Sequence, residues 1–334
     1  MSAPFSWIEP HPTGIRIAPA DVWVDPSRAV ESALVTHGHA DHARGGHGRT
    51  YATPETLAIM ELRYNTRDGA VPVAYGEAVR LTGGVEATFI PAGHVLGSAQ
   101  VLLEHAGERV IITGDYKRRA DPTCPPFEVT PCDVFITEAT FGLPVFTHPP
   151  IEDEIATLLK ALDENPDGCV QVGAYALGKA QRVIAELRRA GHGAPIYLHG
   201  AMERMCRLYE EHGIDLGDLR LVSDYSRDDL RGSIVISPPS ALNDRWSRRL
   251  PAPITAMASG WMRVRGRARQ RGVELPLIIS DHADWNELTQ TIAEVNPEQT
   301  WITHGREDAL LRWCELTQRK ARALAMVGRE DEDD

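Results

Sequence analysis

One short stretch, Thr36-His37-Gly38-His39-Ala40-Asp41-His42, carries four side chains able to bind a metal, directly after the apolar run Ala33-Leu34-Val35. In a strand, residues i and i+2 share a face, so His37 and His39 can point the same way as the strand runs out. The turn that follows can swing Asp41 and His42 into a neighbouring volume. That geometry suits two adjacent metals, one served by each pair. A lone histidine would read as part of a solvated turn; four such residues after a strand read as a metal site. Imidazole and carboxylate donors without thiolate suit Zn²⁺, Mn²⁺ or Fe²⁺.

The pattern of an apolar strand, a ligand-type residue and a turn recurs along the chain. Ala87–Ile90 leads to Gly93-His94, Arg109–Thr113 to Gly114-Asp115, and Asp133–Thr137 to Glu138-Ala139-Thr140. Far downstream, Pro276–Ser280 leads to Asp281-His282-Ala283-Asp284, and Thr300–Thr303 to His304-Gly305. Two metals about 3.5–4 Å apart need a bridging oxygen, and can clamp the attacking and leaving oxygens of an in-line displacement. Asp115, a lone carboxylate between histidine-bearing loops, is the natural bridge. The expected first set is His37, His39, His94 and Asp115; the second is Asp41, His42, Asp115 and His304. Glu138 and His282 are then left for catalysis, together with Asp41. A histidine beside two cations can donate to a phosphate oxygen or protonate a leaving alkoxide, and a carboxylate would orient it. Asp25, at the end of Val22-Trp23-Val24, reads equally as a turn-initiating residue before Pro26 or as an acceptor that fixes a ligand histidine.

The elements that must position these residues follow from length and pattern. At 334 residues the chain is long enough for two domains on a prior of about 150 residues each. Hydrophobic content of 43% and charged content of 25% are those of an ordinary globular protein. No apolar run reaches the ~18 residues that span a bilayer, and the first residues resemble no secretory signal. Five cysteines without a C-x-x-C pair argue against a disulfide framework, and a cytoplasmic location is expected. Thr53 should cap a helix with Pro54 in its first position, turning Leu57, Met60 and Leu62 inward. Near-continuous apolar strands imply sheets buried on both faces.

From about Leu143 the texture changes. A helix over Ile151–Leu162, the strand Cys169–Gly173, a helix from Gly178 to Arg189, and the strands Ile196–Leu198, Ser233–Ser237 and Ile254–Met257 suggest a second α/β unit with a parallel sheet. The simplest organisation is an α/β insert over 142–274 within a domain made of 1–141 and 275–334. Two segments of the insert bear on anions. Gly173-Ala174-Tyr175-Ala176-Leu177-Gly178-Lys179 places Lys at a helix start, where free N–H groups bind anions. Ser259-Gly260-Trp261 precedes Arg263, Arg265, Arg267, Arg269 and Arg271. On an extended segment these alternate arginines would project on one face, contacting phosphates while Trp261 stacks on a base. The net charge is -12, yet Arg245–Arg271 holds eight arginines and no acid, and Arg329–Asp334 is an acidic end expected to be solvated.

The ordered set H-x-H-x-D-H, Gly93-His94, Gly114-Asp115, Thr137-Glu138-Ala139-Thr140, Asp281-His282-Ala283-Asp284 and Thr303-His304-Gly305 resembles the β-CASP nucleases of the metallo-β-lactamase superfamily. Within them it is most similar to the bacterial ligase-associated DNA-damage-response exonucleases. The resemblance implies a four-layer αββα fold with an inserted α/β β-CASP domain, two divalent metal ions (Zn²⁺ or Mn²⁺), and phosphodiester hydrolysis between the two domains. It implies a DNA substrate, single-stranded and attacked from the 5′ end, with DNA-repair ligase and helicase partners. Glu138, His282 and His304 match the family's motif A acid and motif B and C histidines. Tyr175, Gly178, Lys179, Ser259, Gly260, Trp261, Arg263 and Arg265 are the expected nucleic-acid contacts. A histidine at 304 is more typical of the RNA-processing branch, so a ribonuclease is the alternative. A thioester or lactam hydrolase is disfavoured by the long insert and its arginines.

Overall fold

The computed structural model describes residues 4–65 and 67–324, and the acidic end Arg329–Asp334 lies outside them. The chain opens with β1 (Ile8–His11), β2 (Gly14–Ile17), β3 (Val22–Val24), β4 (Ser32–Leu34), β5 (Arg49–Ala52), α1 (Pro54–Tyr64) and β6 (Ala70–Pro72). It continues through β7 (Ala78–Arg80), β8 (Glu86–Pro91), β9 (Ala99–His105), β10 (Glu108–Ile112) and β11 (Val134–Ala139). Then come α2 (Ile151–Asp163), β12 (Cys169–Gly173), α3 (Lys179–Arg189), β13 (Ile196–Leu198), α4 (Gly200–Glu211), β14 (Leu219–Leu221), β15 (Ser233–Ser237), β16 (Pro253–Ala258), α5 (Arg265–Gln270) and β17 (Leu275–Leu277). The chain ends with α6 (Trp285–Val295), β18 (Gln299–Gly305), α7 (Glu307–Leu316) and β19 (Ala321–Ala323).

Contacts divide the chain after Phe146 and again after Asp281 into two compact units. The first holds a six-stranded sheet, β1-β2-β3-β4-β5-β6, and a seven-stranded sheet, β19-β18-β11-β10-β9-β8-β7. One core cluster joins them: Ile15, Ile17, Val24 and Leu34 of the first sheet meet Phe89, Val101, Leu103, Val110 and Ile136 of the second. Met60 and Leu57 of α1 cover Ala33 and Ala52 on the outer face of the first sheet. Leu288, Ile292 and Val295 of α6 and Leu310 and Cys314 of α7 cover Ile111, Phe135 and Ile302 on the outer face of the second. The layers therefore run α, β, β, α, as expected. Thr53 caps α1 by accepting from Thr56 N. The buried side of that helix is Thr56, Ile59 and Met60, whereas Leu57 and Leu62 are half-buried.

The second unit is built on a six-stranded sheet, β14-β13-β15-β12-β16-β17, whose strand pairs are all parallel. Its breaks come later in the chain than 142 and 275. Phe141 and Phe146 rings pack 5.0 Å apart, and Phe146 O accepts from Trp285 N, so this turn stays with the first unit. At the other end β17 pairs with β16 and Ile278 N donates to Glu154 Oε2 at 2.7 Å. Among the described residues no helix is long and apolar enough to cross a membrane, and the five cysteines are free thiols.

The turn after β10 is tight. Gly114 has φ +55°, and a Cβ there would lie 2.5 Å from Thr36 Oγ1. Gly114→Ala should therefore cost about 1–3 kcal/mol of stability, measured by denaturant unfolding of chelator-treated protein; a change under about 0.5 kcal/mol, the range of ordinary surface substitutions, would contradict the close approach.

Candidate metal centre

Strand ends of the αββα unit deliver the ligand-type residues to one place. β4 runs into His37, β8 into His94 and β10 into Asp115, while Glu138 lies in β11 and His304 in β18. Buried sheets hold these ends rigidly, and the connecting turns carry the chemistry. Ligand atoms of His37, His39, His94 and Asp115 all lie within 4.8 Å of one another, as do those of Asp41, His42 and Asp115. The first group is the expected first set. The second is the expected second set without His304.

Asp115 Oδ2 is common to the close contacts. It stands 3.3 Å from His37 Nε2, 3.5 Å from His42 Nε2 and 3.7 Å from His94 Nε2. His39 Nδ1 lies 3.0 Å from His94 Nε2, and Asp41 Oδ2 lies 3.2 Å from His42 Nε2. Two donors each 2.1 Å from a tetrahedral ion stand about 3.4 Å apart, so these separations suit donors sharing a cation. The Nε2 atoms of His37 and His42 are fully buried and make no hydrogen bond. A buried polar atom left so is costly, and a cation would satisfy it. The residues present thus fit a divalent metal.

Charge points the same way. Burial, and then the neighbouring His37, push His39 down to about 3. Burial also holds His94 well below the ordinary histidine value, helped by His282, His37 and His39. Both are neutral at pH 7, the form that binds metal. Burial works against the charges of Asp41 and Asp115, yet His42 in each case holds the carboxyl well below its usual range. Conversely, burial opposes a charged His42, but Asp41, Asp115 and Asp25 raise its pKa well above the ordinary value. Three carboxylates converge where a cation can replace that proton.

Asp25 settles its double reading. Its buried carboxylate accepts from Thr36 N at 2.8 Å, from Thr36 Oγ1 at 2.6 Å and from His42 Nδ1 at 2.8 Å. His37 Nδ1 lies 3.0 Å from Thr36 Oγ1. Since that hydroxyl donates to Asp25, it can accept from His37 Nδ1–H. One carboxylate therefore fixes the tautomer of two ligand histidines, directly and through Thr36, with both Nε2 atoms turned to Asp115. The threonine was not legible as a relay; only its place directly before His37 marks it.

Glu138 and His282 pair as anticipated: His282 Nδ1 lies 2.9 Å from Glu138 Oε2, and Glu138 Oε1 accepts from Tyr116 N at 2.7 Å. Both join Asp115 in a third close group, and the His282 and His94 rings are 4.7 Å apart. The His304 ring stacks on His42 at 5.1 Å and 25°, beside the second group. It sits at φ +55°, where the β11–β18 register shifts between Thr137 and Ala139. A Cβ at the next residue, Gly305, would come within 2.2 Å of Ala139 O, so the backbones could not close here with a larger residue.

The expected nucleic-acid residues lie in the second unit. Gly178 N donates to Gln181 Oε1 and Ala180 N to Tyr175 O, so the start of α3 has these N–H groups engaged. Lys179 is buried, its Nζ 2.8 Å from Asp281 Oδ2, and Arg182 donates to Ser280 O. The arginine segment is not extended. Gly260–Arg263 is a 3₁₀ turn capped by Ser259, and Arg265–Gln270 is helical. Arg and Ala favour the helix, so alternate arginines fan around it instead of lining one face. Arg263, Arg265 and Arg269 are exposed, and Arg267 covers the half-buried Trp261 ring at 4.1 Å. His199 caps α4.

Fold and site define a metal-binding αββα protein with an α/β insert. No family model matches the chain. It is 31% identical over 288 residues to a "Probable DNA ligase" of Opitutus terrae, covering 85% of this chain and 28% of that protein. It is 29% identical over 222 residues to "Ribonuclease TTHA0252" of Thermus thermophilus, 55% of this chain and 50% of that one. A third relative, "Cleavage and polyadenylation specificity factor subunit 3-I" of Arabidopsis thaliana, is 23% identical over 389 residues, 91% of this chain and 55% of that one. The chain thus spans between about a quarter and a little over half the length of these relatives. A crystal structure of a protein of unknown function from Enterococcus faecalis shares the fold with a TM-score of 0.59 at 14% identity, over 84% of this chain and 76% of that one. The chain belongs to the β-CASP group of the metallo-β-lactamase superfamily.

Removing Asp25, as in Asp25→Ala, should weaken metal affinity about 10- to 100-fold, read by chelator competition; unchanged affinity would contradict its orienting role. Because a cation replaces the His42 proton, affinity should also rise with pH through neutrality. About one proton, that of His42, should be released per chain as the site fills, measured by calorimetry in buffers of different ionisation enthalpy.

Proposed function

We propose that the chain is a metal-dependent DNA exonuclease that hydrolyses phosphodiester bonds of single-stranded DNA from the 5′ end in DNA repair. The observation that supports hydrolysis most is Asp115 Oδ2 facing His37, His42 and His94, with the Glu138–His282 pair beside it. Two ions, Zn²⁺ or Mn²⁺, are assigned, one to His37, His39, His94 and Asp115, the other to Asp41, His42 and Asp115 with the adjacent His304. When bound, they supply Lewis-acid neutralisation of charge on the attacking and leaving oxygens. His282 carries a proton at Nε2 and gives it to the departing ester oxygen, while Glu138 Oε2 steadies the imidazolium through Nδ1. Asp41, with a side chain 29% exposed, orients the incoming water by accepting from it.

The catalytic domain is assigned to the first unit and the β-CASP insert to the second, Thr147–Asp281. In the insert, the exposed Arg263 and Arg265 bind backbone phosphates, with Ser259, Gly260 and Trp261 shaping that turn. Tyr175, Gly178 and Lys179 line the other assigned contact. DNA is favoured by likeness to a protein named as a probable DNA ligase across 85% of this chain, a name that also supports a repair ligase as partner; a helicase partner and a cytoplasmic location belong to the same proposal. RNA is the second reading, favoured by relatives named as ribonucleases and by the imidazole at 304.

Matched DNA and RNA strands labelled at either end, with each ion in turn, decide between the two. Stepwise release from the 5′ end of DNA is expected; cleavage of RNA alone supports the second reading, and no cleavage of either overturns both. His282→Ala should lower kcat about 10²- to 10⁴-fold with metal content unchanged by elemental analysis.

A further inference from the structure

We infer that Arg119 is a positioning residue that holds His282 against the Asp115 carboxylate, through the N-terminus of α6. The inference rests on the hydrolytic reading of the site, and its basis is a clasp within the first unit. The segment after Asp115 runs Tyr116-Lys117-Arg118-Arg119, and the segment after His282 runs Ala283-Asp284 into α6. The two are stitched together. Tyr116 O accepts from Ala283 N at 2.7 Å. Arg119 Nη2 donates to Asp284 Oδ2 at 2.6 Å. Arg119 N donates to Glu287 Oε1 at 3.0 Å, and Arg119 Nε lies 3.4 Å from the same oxygen. One turn on, Arg118 donates to Thr291 Oγ1 at 2.9 Å and to Glu294 Oε2 at 2.6 Å.

Asp284 is the hinge of this arrangement. It is fully buried, with 0% side-chain exposure, while Arg119 is 36% exposed. Its two oxygens have separate tasks: Oδ1 accepts from Glu287 N at 3.0 Å, closing a capping box in which Glu287 Oε2 accepts from Asp284 N, and Oδ2 takes Arg119. Removing one partner of a buried ion pair is strongly destabilising, so the loss of Arg119 should disturb the capped turn. His282 is two residues upstream of that turn, and Tyr116, which ties Glu138 to the same loop, is three residues upstream of Arg119. The clasp thus fixes both members of the Glu138–His282 pair relative to Asp115. Arg119 does not reach the reacting atoms itself. A lysine keeps the charge but loses the planar fork.

The test uses the full chain and single-stranded DNA, with bis(p-nitrophenyl) phosphate as a second substrate. Arg119→Ala should lower kcat about 10- to 100-fold, the cost of a misplaced group, with KM and metal content unchanged; Arg119→Lys should recover part of the loss. Asp284→Asn keeps the cap acceptor but neutralises the pairing, and should give a kcat loss of the same kind. The double variant should be no worse than the more damaged single one, because the two act as one unit. A readout independent of turnover is ring-nitrogen NMR of His282 in chelator-treated protein, where Arg119→Ala should remove the signature of the Nδ1–Glu138 hydrogen bond. Unchanged kcat and unchanged His282 resonances in both single variants would overturn the inference, as would a loss confined to metal content or folding. Should wild type cleave neither substrate with any ion while the His282 signal still responds to Arg119, the hydrolytic reading fails and the positioning survives.

Discussion

One carboxylate oxygen carries the architecture of the site. Asp115 Oδ2 stands 3.3–3.7 Å from the Nε2 atoms of His37, His42 and His94, each from a different turn or a different side of one. Three imidazoles will not crowd one buried acid without something to share. Asp25 locks two of the rings from behind, one of them through Thr36, so their Nε2 atoms face the shared carboxylate before any ion arrives. Pre-organisation of this kind places the cost of the site in folding instead of in binding.

That cost is borne by the sheets. The core shared by the two sheets of the first unit contains Phe89, Leu103, Val110 and Ile136, each with no exposed surface. Dense packing of this sort transmits little slack, which is why turns at strand ends can hold donors to a few tenths of an ångström. Two backbone approaches beside the site are close: Gly114 against Thr36, and Gly305 against Ala139, where two parallel strands lose register.

Much of this could be read from the residues. The early quartet of three histidines and Asp41, the lone carboxylate at 115 and the pairing of Glu138 with His282 are local in sequence type and follow strands whose apolar runs are unmistakable. β12, α3 and β15 begin and end where turn residues and helix starts predict. What could not be read depends on distant partners. Arg119 and Asp284 are 165 residues apart, and nothing in either neighbourhood names the other, although Asp284-x-x-Glu287 spells the capping box of α6. The orienting role of Asp25 needed the fold to bring β3 beside β4. The short strands β5, β7, β14 and β19 carry too few apolar residues for a period to emerge. The arginine-rich segment misled for a different reason: an i, i+2 repeat looks like a strand, but intrinsic preference made it helical.

The interrupted layout has a consequence for how the chain is made. β11 is a central strand of the finished seven-stranded sheet, yet its neighbour β18 joins it through pairs such as Val134 with Gln299. At translation speeds of about 5–20 residues per second, β11 leaves the ribosome on the order of ten seconds or more before that partner exists. Throughout that interval it is an unpaired sheet edge, apolar over Val134–Ile136, the kind of surface that recruits other strands. The second unit, continuous in sequence, can meanwhile collapse on its own parallel sheet. Nascent-chain quality control would therefore meet this polypeptide in a half-built form, with the six-stranded sheet in place and the open margin of the seven-stranded one awaiting β18.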